Sequence, residues 1–284
     1  MNLLKSFFIT SFITFTSAVS IYSAIQLFTV NAPLLWIGVL LSAAPFALMI
    51  MFWMALQKNA RTSGNLALLN VLGIIGVLIA AWQASSTHAD NTQLALALSL
   101  ASWVGLLVYI FWYSRFAERK AATFAVGKTL PSITLTNADG QTVNFDDKTG
   151  QKSILMFFRG NWCPLCVAQV KEIVGLYQQL ENMGVRVALI SPQSEKQTQI
   201  LANKFKVNFE FYSDNHNKAA KTLGIDSPNG LPMGLQVMGF DSDTVLPTVI
   251  ITDENNKVLW THETDNYRVR PEPELFLKVL QDMQ

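Results

Sequence analysis

The chain has 284 residues, 21 Lys+Arg against 20 Asp+Glu, a net charge of +1, and is half hydrophobic. A balance so near zero leaves no electrostatic footprint for nucleic acid, and the length suits two domains. The charges are spread unevenly. Residues 1–116 carry only Lys5, Lys58, Arg61, Asp90 and Arg115, while the other 36 charged side chains lie in residues 117–284. A stretch this long with five charges cannot present an ordinary wetted surface, so residues 1–116 read as a transmembrane domain.

That half resolves into four apolar spans, at 7–30, 33–56, 66–85 and 94–113. Each is close to the ~20 residues that a helix needs to cross about 30 Å of hydrocarbon. Trp36, Trp53, Trp103, Trp112 and Tyr113 fall near span ends, as interfacial aromatics do. Ser17–Ser20 loosely resembles a signal cleavage site, but the apolar stretch is longer than a usual signal core, so span one is read as retained.

Lys5 precedes span one, Lys58 and Arg61 separate spans two and three, and Arg115, Arg119 and Lys120 follow span four. The other two connections hold no Lys or Arg. All six cations share one side, which the positive-inside rule makes cytoplasmic. The expectation is an integral multi-pass protein of a prokaryotic inner membrane, with everything after residue 120 in the cytoplasm. The spans hold no Asp, Glu, Lys, Arg, His or Cys, so they read as an anchor rather than a relay. The hydroxyls of Thr10, Thr14 and Ser17 on one stripe, with the amides Asn70 and Gln83, are expected to bond between helices.

A linker, 117–127, leads to a second domain at 128–284, where strands and helices alternate. Strands are expected at 132–136 and 141–145, joined across Asp139-Gly140, and at 153–158, a continuous apolar run suited to a central strand. A helix follows from Pro164 to about Met183, with an apolar stripe through Val167, Val170, Ile173, Val174, Tyr177 and Leu180. Strand 185–191, helix 194–205, strand 209–212 and helix 217–223 come next. The strand pair 248–252 and 258–262 and a helix from about 273 to 283 close the chain. A β-α-β start and a β-β-α end describe an α/β thioredoxin-like fold beside an all-α four-span bundle.

Cys163 and Cys166 are the only cysteines, and they share one C-x-x-C in Trp162-Cys163-Pro164-Leu165-Cys166. A strand that delivers this motif to a helix N-terminus is the layout of a thiol–disulfide site, because the helix end favours a thiolate. A structural zinc would need two more soft ligands, and the three histidines are unpaired, so no metal and no other cofactor is expected. Arg159 and the helix that starts at Pro164 are the local candidates to stabilise a thiolate. Pro164 and Leu165 lie between the sulfurs and set the redox poise. Trp162 either covers the thiol as part of a docking surface or packs in the core.

Residues from 128 onward resemble the redoxin group of thioredoxin-fold proteins, the peroxiredoxin-like AhpC/TSA family. The likeness is carried by Pro131–Leu135, Asp139-Gly140, Phe157–Cys166, Ser191-Pro192, Tyr212–Asp214, Leu223-Gly224 and Leu246–Asp253. It implies that Cys163 attacks and Cys166 resolves, closing a Cys163–Cys166 disulfide. It also implies that Pro247 is a cis-proline facing the motif, with Thr248 beside it in the substrate-positioning region. Gly160 stands where peroxiredoxins place a Thr, three residues before the reactive Cys, and Phe157 stands where thioredoxins bury an Asp.

The expected partners are a protein disulfide or peroxide substrate, a cytoplasmic dithiol donor (thioredoxin-like or glutathione) and the lipid bilayer, with no nucleic acid. Three functions fit: a membrane-anchored thiol–disulfide oxidoreductase, a thiol-dependent peroxidase, and a non-enzymatic redox sensor or tether.

Overall fold

The computed structural model describes residues 2–29, 32–86, 91–116, 122–145 and 150–282. The chain divides into two units. One comprises Phe7–Leu56 and Thr62–Arg115, and the other Met1–Ser6, Gln57–Arg61 and Phe116–Gln284. Asp90, Arg119, Lys120 and His88 lie outside the described residues.

The helical unit is built from α1 (Asn2–Thr29), α2 (Pro33–Leu56), α3 (Ala67–Ser86) and α4 (Thr92–Val108), the last extended by a π-turn, Tyr109–Tyr113. All four are long and apolar enough to cross a membrane. Helix α1 begins five residues before the expected span, because Asn2–Ser6 continue its turns. Helices α2 and α3 pack through glycine. A Cβ on Gly38 would stand 2.7 Å from the Gly76 carbonyl oxygen, and one on Gly76 would stand closer still to that of Gly38. Only a residue without a side chain permits that approach, and in lipid such close packing is what holds helices together.

Some of the hydroxyls and amides expected to bond between helices bond within one instead. The Ser42 hydroxyl reaches Ser99 at 3.0 Å, joining α2 to α4. Thr14 instead donates back to the Thr10 carbonyl, and Asn70 donates to the Asn65 carbonyl at the entry to its own helix. These groups satisfy themselves within one turn, which apolar surroundings favour. Leu68, Leu78 and Trp82 are exposed on the outside of α3.

Among the described residues the second unit has nine strands: β1 (Thr134–Asn137), β2 (Thr142–Asn144), β3 (Ser153–Phe157), β4 (Arg186–Ser191), β5 (Glu210–Ser213), β6 (Asp226–Ser227), β7 (Thr244–Val245), β8 (Thr248–Thr252) and β9 (Val258–Glu263). Seven of them form one sheet in the order β2-β1-β5-β4-β3-β8-β9, and β6 pairs with β7 apart from it. Strands β3, β4 and β5 run parallel, and β8 lies antiparallel on the other side of β3. Both β3 and β8 are buried throughout, as their unbroken apolar runs require. Helices α5 (Pro164–Gly175), α6 (Tyr177–Asn182), α7 (Glu195–Phe205), α8 (Lys218–Leu223) and α9 (Pro273–Asp282) complete a thioredoxin-like α/β fold. A core of Leu155, Phe157, Ala188, Ile190, Leu223 and Ile250 fills one face of the sheet.

Three expectations need correction. The helix expected over 164–183 is two helices, because Leu176 leaves helical geometry at φ −95°, ψ 5°. The short pair β6–β7 forms where no strand was expected. Within 117–127, residues 117–121 lie outside the described residues, but Phe124 is buried in the core and Gly127 donates to the Val258 carbonyl. The end of that stretch is therefore packed domain rather than free linker.

Candidate active site

The site grows from the C-terminal end of β3. Phe157 stands opposite Ile190 of β4 and Thr248 of β8, so whatever follows Phe157 emerges between those strands. The turn Arg159–Trp162 is fixed by its neighbours. The Asn161 N–H donates to the Gln193 side chain at 2.9 Å, and the Asn161 amide donates to the Gln197 carbonyl at 2.7 Å. Gly160 takes φ +135°, and a Cβ there would meet Trp162 Nε1 at 2.9 Å. That left-handed conformation favours glycine, which accounts for the residue type at this position.

Cys163 is the N-cap of α5, and Pro164 occupies the first helical turn, where a missing N–H costs little. The N–H groups of Cys166 and Val167 both donate to the Cys163 carbonyl, at 3.0 and 3.1 Å. This first turn brings the two sulfurs to 2.7 Å, and both cysteines are free. Neither sulfur is open to solvent: Cys163 is 2% exposed and Cys166 0%.

A cation from 104 positions away reaches the pair. Arg270, just before α9, donates from Nη2 to Cys166 Sγ at 3.3 Å. Its Nη1 donates to Gln169 Oε1 at 2.7 Å and its Nε to the Tyr267 carbonyl at 3.0 Å, so the guanidinium plane is held at three points. Gln169 lies one turn after Cys166 on the same face of α5 and is itself buried.

Burial pushes both thiols up. For Cys163 burial is reinforced by the hydrogen bond and the repulsion from Cys166, and its pKa rises well above that of a free thiol. For Cys166 burial is outweighed by the hydrogen bond shared with Cys163, the Arg270 charge and the backbone N–H and charge of Arg159, which bring it down to about 5. The two sulfurs thus share a hydrogen bond, and the Arg270 guanidinium favours negative charge at Cys166. The sequence expectation put the thiolate on Cys163, whereas the Arg270 guanidinium hydrogen-bonds Cys166.

Arg159 is a secondary contributor. Its guanidinium lies 4.7 Å from the centre of the Trp162 ring and 5.6 Å from that of Tyr267, and its Nη2 donates to the Gly230 carbonyl at 2.5 Å. Trp162 is half-buried in that stack. Pro247 stands at the end of β8 next to the site, but the bond before it is trans, since no cis peptide bond occurs among the described residues. Just before it, the Leu246 N–H donates to the Ile225 carbonyl at 2.8 Å. Thr248 is buried with its hydroxyl committed to the Leu246 carbonyl, so it offers no group to a substrate. Gln169 is a site residue that sequence reasoning missed, and Arg270 is one that reads from sequence as a solvated cation more than as a catalytic one. Among the described residues, no group of three or more His, Cys, Asp or Glu converges as a metal site would need.

The two buried sulfurs, the N-terminus of α5 and the Arg270 guanidinium thus meet at one point of a thioredoxin-like fold. Residues 126–261 match the AhpC/TSA family, and that part of the chain is an AhpC/TSA family domain. A probable nucleoredoxin 1 from Arabidopsis thaliana is 26% identical over 228 residues, 76% of this chain and 37% of that protein. A chloroplastic peroxiredoxin Q from Sedum lineare is 30% identical over 112 residues, 38% of this chain and 60% of that protein. A thiol-disulfide oxidoreductase ResA of Bacillus cereus is 23% identical over 169 residues, 60% of this chain and 86% of that protein. The chain thus spans less than two thirds of the nucleoredoxin and of the peroxiredoxin Q.

Proposed function

We propose that the chain is a membrane-anchored, thiol-dependent oxidoreductase of antioxidant type, in which the Cys163–Cys166 dithiol reduces a small peroxide. The observation that carries this reading is the bond from Arg270 to Cys166 with Cys163 at 2.7 Å on the other side. One sulfur is held ionised, and its partner waits within bonding reach.

In the first step the Cys166 thiolate attacks the distal peroxide oxygen. The S–O bond forms, the O–O bond breaks, and the departing alkoxide takes a proton from Cys163. Cys166 is then a sulfenic acid. In the second step Cys163 attacks the Cys166 sulfur, and hydroxide leaves as water after protonation by solvent. The products are one alcohol, one water and a Cys163–Cys166 disulfide. A cytoplasmic dithiol, thioredoxin-like or two glutathiones, returns the pair to its reduced form by exchange.

Burial of both sulfurs supports a small oxidant over a folded protein disulfide, which could not approach a sulfur that is 0–2% exposed. Disulfide reduction is the second reading, supported by the C-x-x-C spacing and by the ResA relative. Peroxide consumption by the reduced full chain, followed against consumption of a small disulfide, separates them. A peroxide rate no better than that of free cysteine would leave only the second.

In this reading the four apolar helices are the anchor, and the redox domain stands on the Lys/Arg-rich, cytoplasmic side of a prokaryotic inner membrane. Arg159 supports the thiolate, and Trp162 and Pro164 shape the approach to the pair.

A further inference from the structure

Between β6 and β7 the chain runs from Pro228 to Phe240 without a charged side chain. This segment is a built finger. The Leu231 N–H donates to the Ser242 carbonyl at 3.0 Å, and the Gly239 N–H to the Gln236 carbonyl at 2.9 Å. Gly234 and Gly239, at φ +98° and +83°, bracket a 3-10 turn, Leu235–Met238. Leu231 and Phe240 are buried and anchor the base. The tip does the opposite: Val237 is 90% exposed, Met238 60% and Met233 43%. Single apolar residues on a surface are ordinary, but a turn that projects three of them from a segment with no charged side chain of its own calls for a cover.

The same unit shows what lies beside the finger. Asn2 Nδ2 donates to the Pro228 carbonyl at 2.8 Å, Ser6 Oγ donates to the Leu231 carbonyl, and the Met233 N–H donates to the Ser6 carbonyl at 3.2 Å. The finger is therefore pinned to the first two turns of α1, which carries no further charge from Ser6 to Thr29. We propose that the Met233–Met238 finger seats its tip in the interfacial layer of the lipid bilayer, at the level where α1 enters it. This rests on the reading of α1 as a membrane span. Amphipathic surfaces that lie beside a span and lack charge are held in that layer by burial of their apolar atoms.

The Gly230 carbonyl at the root of the finger accepts from Arg159, whose backbone N–H bonds Cys166. The finger is thus linked to the redox pair through Arg159.

The test uses the full chain with Cys163→Ser and Cys166→Ser, so that one added cysteine takes a nitroxide label. It is reconstituted in nanodiscs of phosphatidylcholine and phosphatidylglycerol. Labels are compared at Val237→Cys, at Leu78→Cys on the exposed face of α3, and at Asn255→Cys in the exposed turn after β8. Collision rates with oxygen and with a water-soluble nickel chelate report depth. The proposal expects the position 237 label to show an oxygen-to-nickel ratio several-fold above that at position 255, shifted toward the value at position 78. A ratio at position 237 equal to that at position 255, with position 78 in lipid, overturns the finger alone. An aqueous ratio at position 78 overturns the membrane reading, and the finger with it.

Discussion

Replacing Arg270 with Met removes the cation that stands 3.3 Å from Cys166 Sγ while keeping most of its buried volume. At an effective dielectric of about 20, a charge pair at this distance is worth about 5 kcal/mol, or between three and four pKa units at ~1.36 kcal/mol each. Arg159 and the Cys163 hydrogen bond remain, and water can enter, so the change should be smaller, about two to three units. The Cys166 thiolate should then titrate near 7–8 rather than about 5. At pH 7 it is almost fully formed in the native protein, and in the variant it should fall to between about a half and a tenth. Thiolate absorbance near 240 nm, followed against pH on the reduced chain, reads this directly, and iodoacetamide alkylation at pH 6 should slow by roughly tenfold or more. Arg270→Lys keeps a charge but cannot hold both Gln169 and the sulfur, so it should fall between the two. The stability change follows the same sign. The folded pKa lies below that of an unfolded thiol, so the ionisation stabilises the reduced fold fully above the unfolded value and ceases to do so as pH falls through about 5. The gap in thermal stability between native protein and Arg270→Met should therefore close on acidification. A folded Arg270→Met variant whose thiolate still titrates near 5 would refute the assignment of Arg270.

Cys163→Ser should leave Cys166 able to attack glutathione disulfide near neutral pH and hold it as a persistent mixed disulfide, visible by intact mass, while Cys166→Ser should react slowly through Cys163. Gly160→Ala should strain a φ of +135° and displace Trp162, lowering stability by about 1–3 kcal/mol in denaturant titrations, with a changed Trp fluorescence. Gly76→Val should drive α2 from α3, since its Cβ alone would collide with the Gly38 carbonyl, and a loss of about 1–3 kcal/mol should show as a lowered melting temperature in detergent.

The strands were legible because β3 and β8 are unbroken apolar runs flanked by turn residues, and such runs fit a buried strand. The break at Leu176 was not, because the apolar stripe continues from Val174 through Tyr177 to Leu180 as if one helix carried it. β6 and β7 have two residues each, too few to show a period. In the site, the spacing of Cys163 and Cys166 was readable from sequence alone. The sulfur that carries the charge was not, because that depends on Arg270, brought in from 104 residues away by the approach to α9. An Arg beside a proline in a polar stretch looks solvated, yet Arg270 is 5% exposed and Arg268 0%. One signal was available. Gln169 interrupts the apolar positions of α5 one turn after Cys166, and a buried amide there requires a partner.

The account stands on residues 163 and 166 acting as one electron-pair donor. Peptide mass spectrometry of the reduced full chain after one equivalent of peroxide, with free thiols blocked in acid, measures this. The expected product is a single peptide lighter by two hydrogens that joins the two sulfurs and is restored by a dithiol. Two blocked, unlinked cysteines after complete loss of the oxidant would contradict it.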